Sequence, residues 1–253
     1  MGKAISEIKK ELEAAPVLKR EELYAIYEAD ERKGVQNIII KCKKQDQAML
    51  HELARLKEMH FYEEKYQEYS AICGIDEAGR GPLAGPVVAG ACILPKDVEI
   101  LYLNDSKKLN DKKRELLYDE ITEKAVAWGV GIVSEQRIDE INILQATYEA
   151  MHLAVEQLKI TPDLLLVDAV NIPHMSMKQV GIIKGDAKSV SIAAASILAK
   201  VTRDRMMVEY DQAYPEYGFA VHKGYGTKLH MDKLAEFGPS PIHRRTFIKN
   251  MRK

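Results

Sequence analysis

The sequence has few cysteines, a single tryptophan and no long apolar run. Its three cysteines, Cys42, Cys73 and Cys92, are odd in number and lack the close pairs of zinc sites. We expect them to be small buried hydrophobic residues in a reducing compartment. No stretch approaches the roughly 18 apolar residues of a membrane span, and the first residues are too polar and acidic for a secretory signal. These absences predict a cytoplasmic protein without a disulfide framework.

Signatures of nucleotide binding are also missing. The spacing of Gly79, Gly81 and Gly85 does not fit a dinucleotide-binding loop, and a β-prone stretch rather than a helix follows them. No Gly-Lys-Ser or Gly-Lys-Thr completes a phosphate-binding P-loop. We therefore discount ATP and NAD as ligands.

Residues 1–69 differ in composition from the rest of the chain, because they contain no glycine except Gly2 and Gly34. Apolar residues recur there at helical spacing, as in Leu50, Leu53, Leu56 and Met59. The sequence predicts a helical N-terminal extension over residues 1–69 and a second domain over residues 70–253. Nothing in the pattern indicates what the extension does.

From Ala71 onward, strand and helix signals alternate, which predicts an α/β domain. The first two strands, 71–76 and 86–94, form a predicted antiparallel hairpin around a glycine-rich turn. A third strand is expected over 127–134. The later elements are helix 137–158, a strand from Leu164 to Asp168, a short strand over 182–184 and a helix from Ser189 to about Tyr210.

Four carboxylates follow or end short apolar segments: Asp76 and Glu77 as neighbours, then Asp168 and Asp186. Ligands of open α/β sheets bind at the carboxyl ends of the strands, so we expect these four to meet at one sheet edge. The glycines at 79 and 81 suggest that the first strand ends before it can separate Asp76 from Glu77. Carboxylates without a histidine partner favour Mg²⁺ or Mn²⁺ over Zn²⁺, and two such ions support phosphoryl transfer. Solvated acids at turns are the alternative interpretation.

The overall charge of −1 conceals a basic C-terminal part, where residues 188–253 contain twelve Lys and Arg against six Asp and Glu. Cations hold phosphates while carboxylates hold metals, so this combination suits a nucleic acid substrate. An ordinary solvated helical surface would have the same composition. A nucleic-acid-binding protein without turnover and a nuclease for plain DNA also remain open at this point.

Six segments together resemble bacterial ribonuclease HII over about residues 70–250. The resemblance rests on their sequences and their order: Gly74-Ile75-Asp76-Glu77-Ala78-Gly79-Arg80-Gly81-Pro82, Asp105-Ser106-Lys107-Lys108-Leu109, Leu166-Val167-Asp168-Ala169, Lys184-Gly185-Asp186-Ala187, the segment from Ala194 to Asp204, and His222-Lys223-Gly224-Tyr225-Gly226-Thr227.

The resemblance implies a ribonuclease H-like fold with a mixed central sheet flanked by helices. It implies that Asp76, Glu77, Asp168 and Asp186 are the catalytic residues and hold two divalent ions, Mn²⁺ or Mg²⁺. The expected activity is endonucleolytic cleavage of RNA paired with DNA, and incision 5′ of single ribonucleotides in duplex DNA as in ribonucleotide excision repair. The products would carry 5′-phosphate and 3′-hydroxyl ends.

The resemblance also implies that Gly79, Arg80, Gly81 and Tyr225 sense the junction between ribonucleotide and deoxyribonucleotide. Backbone exposed by glycine can approach the sugar, and the 2′-hydroxyl distinguishes RNA from DNA. Four further residues are expected to contact backbone phosphates: Lys107, Lys108, Ser196 and Lys200. For Ser196 and Lys200, which share one face of a helix, a capped or solvated helix position is the alternative interpretation. The sister enzyme ribonuclease HIII is expected to lack the Gly-Arg-Gly element and to carry a sheet-containing N-terminal domain. A monomer is the default expectation, because no long heptad run is present.

Overall fold

The structure is a computed structural model that describes residues 3–249. The chain divides into two compact units, Met1–Lys57 and Glu58–Lys253. The first long helices are α1 (Ile5–Ala14), α2 (Arg20–Tyr27) and α3 (Lys33–Met59). The predicted domain boundary at residue 69 stays a prediction.

The first unit is helical and has a small core of its own. Buried apolar side chains from α1, α2 and the start of α3 pack together, among them Leu12, Tyr24 and Ile39. The hydroxyl of Tyr24 donates a 2.5 Å hydrogen bond to Asp46, which also pairs with Arg20 at 2.6 Å. The predicted helical N-terminal extension is therefore confirmed.

The second unit is built on a five-stranded mixed sheet in the order β3-β2-β1-β4-β5. β1 runs antiparallel to β2 and parallel to β4, β2 is antiparallel to β3, and β4 is parallel to β5. The strands are β1 (Ile72–Ala78), β2 (Val87–Ile93), β3 (Ala127–Val133), β4 (Leu164–Asp168) and β5 (Lys178–Ile182).

Helices cover both faces of this sheet, and the glycines of the strands let two of them approach closely. A side chain at Gly74 would overlap the backbone of Ser191, and one at Gly90 would lie 2.2 Å from the carbonyl oxygen of Ala195. A side chain at Gly131 would likewise overlap the backbone of the other long helix, which covers the opposite face of the sheet. The helices are α4 (Phe61–Lys65), α5 (Asp111–Lys124), α6 (Glu135–Glu156), α7 (Val190–Ala213), α8 (Phe219–His222), α9 (Lys228–Phe237) and α10 (Arg245–Ile248).

The predicted hairpin, the strand over 127–134, the strand ending at Asp168 and the two long helices are confirmed. Two details of the prediction are wrong. No strand covers 182–184, because β5 ends at Ile182 and Lys184 has a left-handed φ of 57°. β1 also continues past Asp76 through Glu77 to Ala78 instead of ending at Asp76, since both acids keep their pairing with β2.

The three cysteines are buried and reduced, as expected from their number and spacing. Burial raises the pKa of the Cys73 thiol to about 12, so this thiol stays protonated at neutral pH. No helix within residues 3–249 is both long and apolar enough to cross a membrane.

Candidate active site

Two of the predicted acids lie side by side at the carboxyl ends of parallel strands. Ile75 of β1 pairs with Val167 of β4, so the next residues, Asp76 and Asp168, reach the same edge of the sheet. Asp76 is only 6% exposed, and its Oδ1 accepts a 2.7 Å hydrogen bond from the Glu77 amide. The strand pairing thus delivers a buried carboxylate to this edge.

Desolvation dominates the electrostatics of the Asp76–Glu77 pair. Burial raises the pKa of Asp76 well above its ordinary value, and the charge of Glu77 raises it further, while the Ser196 hydroxyl opposes this with a hydrogen bond. Burial also raises the pKa of Glu77, although Arg80 opposes the shift through a 3.3 Å ion pair. Adjacent buried acids of this kind resist ionisation until a cation neutralises them.

Asp186 joins the group from a single 3₁₀ turn over Gly185–Ala187 rather than from a strand end, which corrects the prediction. The turn is fastened to β4, because the amide of Gly185 donates a 2.7 Å hydrogen bond to Asp168. Burial raises the pKa of Asp186 to about 6, with further contributions from the charges of Asp105 and Asp168. All four predicted acids are therefore electrostatically coupled through Asp168.

Lys107 carries a positive charge that interacts with two of these acids, Asp76 and Asp186. Burial lowers its pKa, but the charges of Asp105, Asp76 and Asp186 outweigh that effect, so the net shift is upward. Lys108 is exposed on the same short turn, Ser106–Lys108. The segment after Asp105 thus adds a positive charge that interacts with Asp76 and Asp186.

The acids fit a hard divalent cation in ligand type and burial, because every side chain offers oxygen and two of them, Asp76 and Asp186, are at least nine-tenths buried. They are not assembled into a finished cation site. Within residues 3–249, no three acid, histidine or cysteine side chains converge on a common point as ligands would.

The Gly79–Arg80–Gly81 segment follows β1 directly and faces Tyr225. Gly79 requires glycine, because its φ is 93° and a side chain there would meet the Arg203 guanidinium. Gly81 is exposed, and the nearest atom to a side chain added there is Cε1 of Tyr225, 3.9 Å away. Tyr225 is 40% exposed, so the Gly81 main chain and the Tyr225 ring together form an accessible surface, called the opening below, next to Arg80 and its partner Glu77.

Ser196 and Lys200 lie on α7, one turn apart, but both already have protein partners. Ser196 is 4% exposed, and its hydroxyl contacts the hydroxyl of Ser106 at 3.0 Å as well as Asp76. Lys200 forms a 2.7 Å ion pair with Asp204, and its ammonium lies 5.9 Å from the centre of the Tyr225 ring. Ser196 is thus placed to orient Asp76.

Sequence reasoning assigned no role to several residues that the structure places at or behind the site. Asp105 lies within the second motif, and its carboxyl group shares a hydrogen bond with Asp186. Arg203 of α7 and Arg244, immediately before α10, are fully buried. Glu63 of α4 carried no sequence signal.

Glu63 fixes the start of α7. Its Oε1 accepts hydrogen bonds from the hydroxyls of Ser189, at 2.6 Å, and Ser191, at 2.5 Å, and from the amide of Ser191 at 3.1 Å. Ser189 in turn donates its amide to the carbonyl of Gly185, which begins the turn holding Asp186. A residue before the predicted boundary at 69 therefore braces the turn of a predicted catalytic acid.

Comparison with solved structures defines the class of protein. The fold resembles ribonuclease H2 from Pyrococcus horikoshii, with a TM-score of 0.58 and 30% identity, covering 70% of this chain and 93% of that one. With its acid-lined sheet edge, the second unit is a ribonuclease H-type endonuclease domain.

Sequence comparison narrows the class to one family. The model for "Ribonuclease HII" matches residues 73–250, and that for "Ribonuclease HII N-terminal domain" matches residues 4–67. The chain is 58% identical to ribonuclease HII of Lachnoclostridium phytofermentans over 251 residues, covering 99% of each chain. It is 51% identical to that of Clostridioides difficile over 251 residues, covering 98% of each. The chain belongs to the ribonuclease HII family, as the six motifs predicted.

Proposed function

We propose that the protein is a divalent-metal-dependent endonuclease that cleaves RNA paired with DNA and incises 5′ of single ribonucleotides embedded in duplex DNA. The products would carry 5′-phosphate and 3′-hydroxyl ends. The observation that carries the proposal is the juxtaposition of interacting, partly buried carboxylates with the accessible surface formed by the Gly81 main chain and the Tyr225 ring. The first feature suits phosphodiester hydrolysis and the second suits selection of a ribose.

Asp76, Glu77, Asp168 and Asp186 would hold the metal, which we propose to be two Mg²⁺ or Mn²⁺ ions. When bound, such a pair activates a water molecule and stabilises the leaving oxygen of an in-line displacement. The chain's own contribution is to keep Asp76 oriented through Ser196 and to tie the Asp186 turn to Asp168. Both contacts restrict the acids before any cation arrives.

Ribose selection is assigned to backbone and aromatic groups. The absence of a side chain at Gly81 lets a sugar approach the main chain, and the exposed Tyr225 ring offers a packing surface with a hydroxyl group. Arg80 is half-exposed at its tip and can exchange its pairing with Glu77 for a phosphate. Lys107, Lys108 and Lys200, whose ammonium lies 5.9 Å from the centre of the Tyr225 ring, are proposed as further phosphate contacts.

The test is cleavage of a labelled RNA–DNA hybrid with Mg²⁺, Mn²⁺ or a chelator, beside an all-DNA duplex. We expect cleavage of the hybrid only, and only with metal. Asp76→Asn should remove cleavage while hybrid binding persists, and the exposed Asp97→Asn should match the unaltered protein. Binding without cleavage under every condition would instead identify a nucleic-acid-binding protein, and equal cleavage of plain DNA would remove the proposed ribose selection.

A further inference from the structure

Two arginines in the second unit are buried without a carboxylate partner. Arg203 of α7 and Arg244, immediately before α10, are both 0% exposed. Among residues 3–249, the hydrogen bonds of both guanidinium groups go to main-chain carbonyls. Burial lowers the pKa of Arg244 to about 9, and burial also lowers that of Arg203. A buried guanidinium without a carboxylate partner is tolerated only where its donors are hydrogen-bonded, so the partners of these donors decide what each side chain holds in place.

Arg244 donates its hydrogen bonds to main-chain carbonyls of the segment after β1. Its Nη2 donates to the carbonyl of Gly79 at 2.6 Å, and its Nη1 donates to that of Arg80 at 3.0 Å. Its Nε donates to the carbonyl of Gly85 at 2.9 Å. One side chain thus holds both ends of the turn that contains Gly81.

Arg203 connects that same turn to the segment carrying Tyr225. Its Nε and Nη2 donate to the carbonyls of Pro86 and Ala84, each at 3.0 Å, and its Nη1 donates to the carbonyl of Lys223 at 3.0 Å. Its guanidinium carbon lies 5.9 Å from the centre of the Tyr225 ring. Arg203 therefore bonds to both walls of the opening.

We propose that Arg203 and Arg244 are positioning residues that set the separation between the Gly79–Gly81 main chain and the Tyr225 ring, and thereby set discrimination for a single ribonucleotide in DNA. The inference rests on the proposed function and names what controls its selectivity. Neither arginine needs to touch the substrate.

The geometry explains why arginine stands at these two positions. A guanidinium presents several donors in a rigid planar fork, so it can hold three carbonyls in fixed directions. A lysine ammonium keeps the charge but not the fork, and it cannot span carbonyls from two segments in the same way. Replacement by lysine should therefore loosen the opening while the acids remain in place.

The test compares Arg203→Lys and Arg244→Lys with the unaltered protein on two substrates, a DNA duplex with one ribonucleotide and a long RNA–DNA hybrid. The exposed neighbours Arg205→Lys and Arg245→Lys are matched controls for loss of a surface guanidinium. We expect the ratio of kcat/KM on the single ribonucleotide to kcat/KM on the hybrid to fall at least about tenfold in the buried variants, since small misplacements of substrate-positioning groups have effects of this size. The ratio should not change in the controls.

The two hypotheses fail in different ways. If the unaltered protein does not cut at the single ribonucleotide, the proposed function fails whatever the variants do. If it does cut there and folded Arg203→Lys and Arg244→Lys keep the same ratio, the positioning role is overturned. Failure of both variants to fold, judged by circular dichroism and thermal unfolding, would assign the arginines to folding alone and would also overturn it.

Discussion

Replacing Gly81 by alanine separates the folding of the loop from its contact with substrate. Gly81 is exposed, and the nearest atom to the added methyl group would be Cε1 of Tyr225 at 3.9 Å, an ordinary contact distance. No left-handed φ is required there. We therefore expect the free energy of unfolding to stay within about 0.5 kcal/mol of its original value, as for most exposed substitutions.

Gly79→Ala gives the contrasting result. Its φ of 93° is unfavourable for alanine, and the methyl group would lie 2.2 Å from Nε of Arg203 and 2.7 Å from the carbonyl oxygen of Pro86. Left-handed backbone costs about 1–2 kcal/mol, and overpacking adds about 1–3 kcal/mol. In a chain of this size, 1 kcal/mol corresponds to about 2–4 °C in Tm, so Gly79→Ala should lower Tm by roughly 5 °C or more.

The functional prediction concerns Gly81→Ala alone, because this variant should stay folded. Losing the close approach of a sugar to the main chain should cost one or two hydrogen bonds of about 1–1.5 kcal/mol each, or roughly a five- to 150-fold loss of kcat/KM at a single ribonucleotide. The assay pairs thermal unfolding with cleavage of the single-ribonucleotide duplex. Normal cleavage by folded Gly81→Ala would refute the reasoning, because the substrate would then not approach this backbone.

Three further predictions concern metal, pH and the N-terminal segment. Mn²⁺ at a hundred times its Kd should stabilise the unaltered protein by about 2.7 kcal/mol, and Asp76→Asn should reduce this gain in a thermal shift assay; equal gains would exclude Asp76 as a ligand. Burial and the neighbouring His230 lower the pKa of His243 to about 4, below its value of 6.5 in the unfolded chain. The unfolded chain therefore binds a proton at His243 more readily than the folded protein does. The contribution of His243 to stability is complete above pH 6.5 and is lost as the pH falls toward 4. Urea unfolding between pH 7 and 5 should show a shallower loss for His243→Asn than for the unaltered protein, and identical slopes would contradict the assignment. Deleting residues 1–57 should leave metal-dependent hybrid cleavage. Deleting residues 1–69 should lower Tm, because Glu63 and the tyrosines packed on the sheet are then lost. Equal Tm values for the two deletions would show that residues 58–69 do not support the domain.

The alternation of apolar segments in the sequence was enough to predict the sheet and the order of its main elements. The short apolar run Leu164–Val167 predicted a strand buried on both faces, and the glycine-free run after Ser189 predicted a long helix, and the structure has both. The strand predicted over 182–184 was wrong because apolar character does not guarantee burial. Ile183 is 72% exposed and leads into a left-handed residue.

The identity of the candidate acids could be predicted, but their arrangement could not. Asp186 approaches from a turn, and its environment depends on Asp105, which lies far away in the sequence. The sequence around a buried side chain that bonds to main-chain carbonyls does not indicate its burial. From the sequence alone, Arg203 and Arg244 were therefore counted among the basic residues of the C-terminal part. The partner of a buried donor is set by tertiary structure, not by spacing.

The most direct test of the account is to map the position of incision in a labelled DNA duplex that contains one ribonucleotide, with Mg²⁺ or Mn²⁺ and with a chelator as control. The account predicts a metal-dependent cut on the 5′ side of the ribonucleotide, leaving a 3′-hydroxyl on the upstream fragment and a 5′-phosphate on the ribonucleotide. Cleavage of long hybrids without any cut in this duplex would contradict ribose selection by Gly79, Arg80, Gly81 and Tyr225.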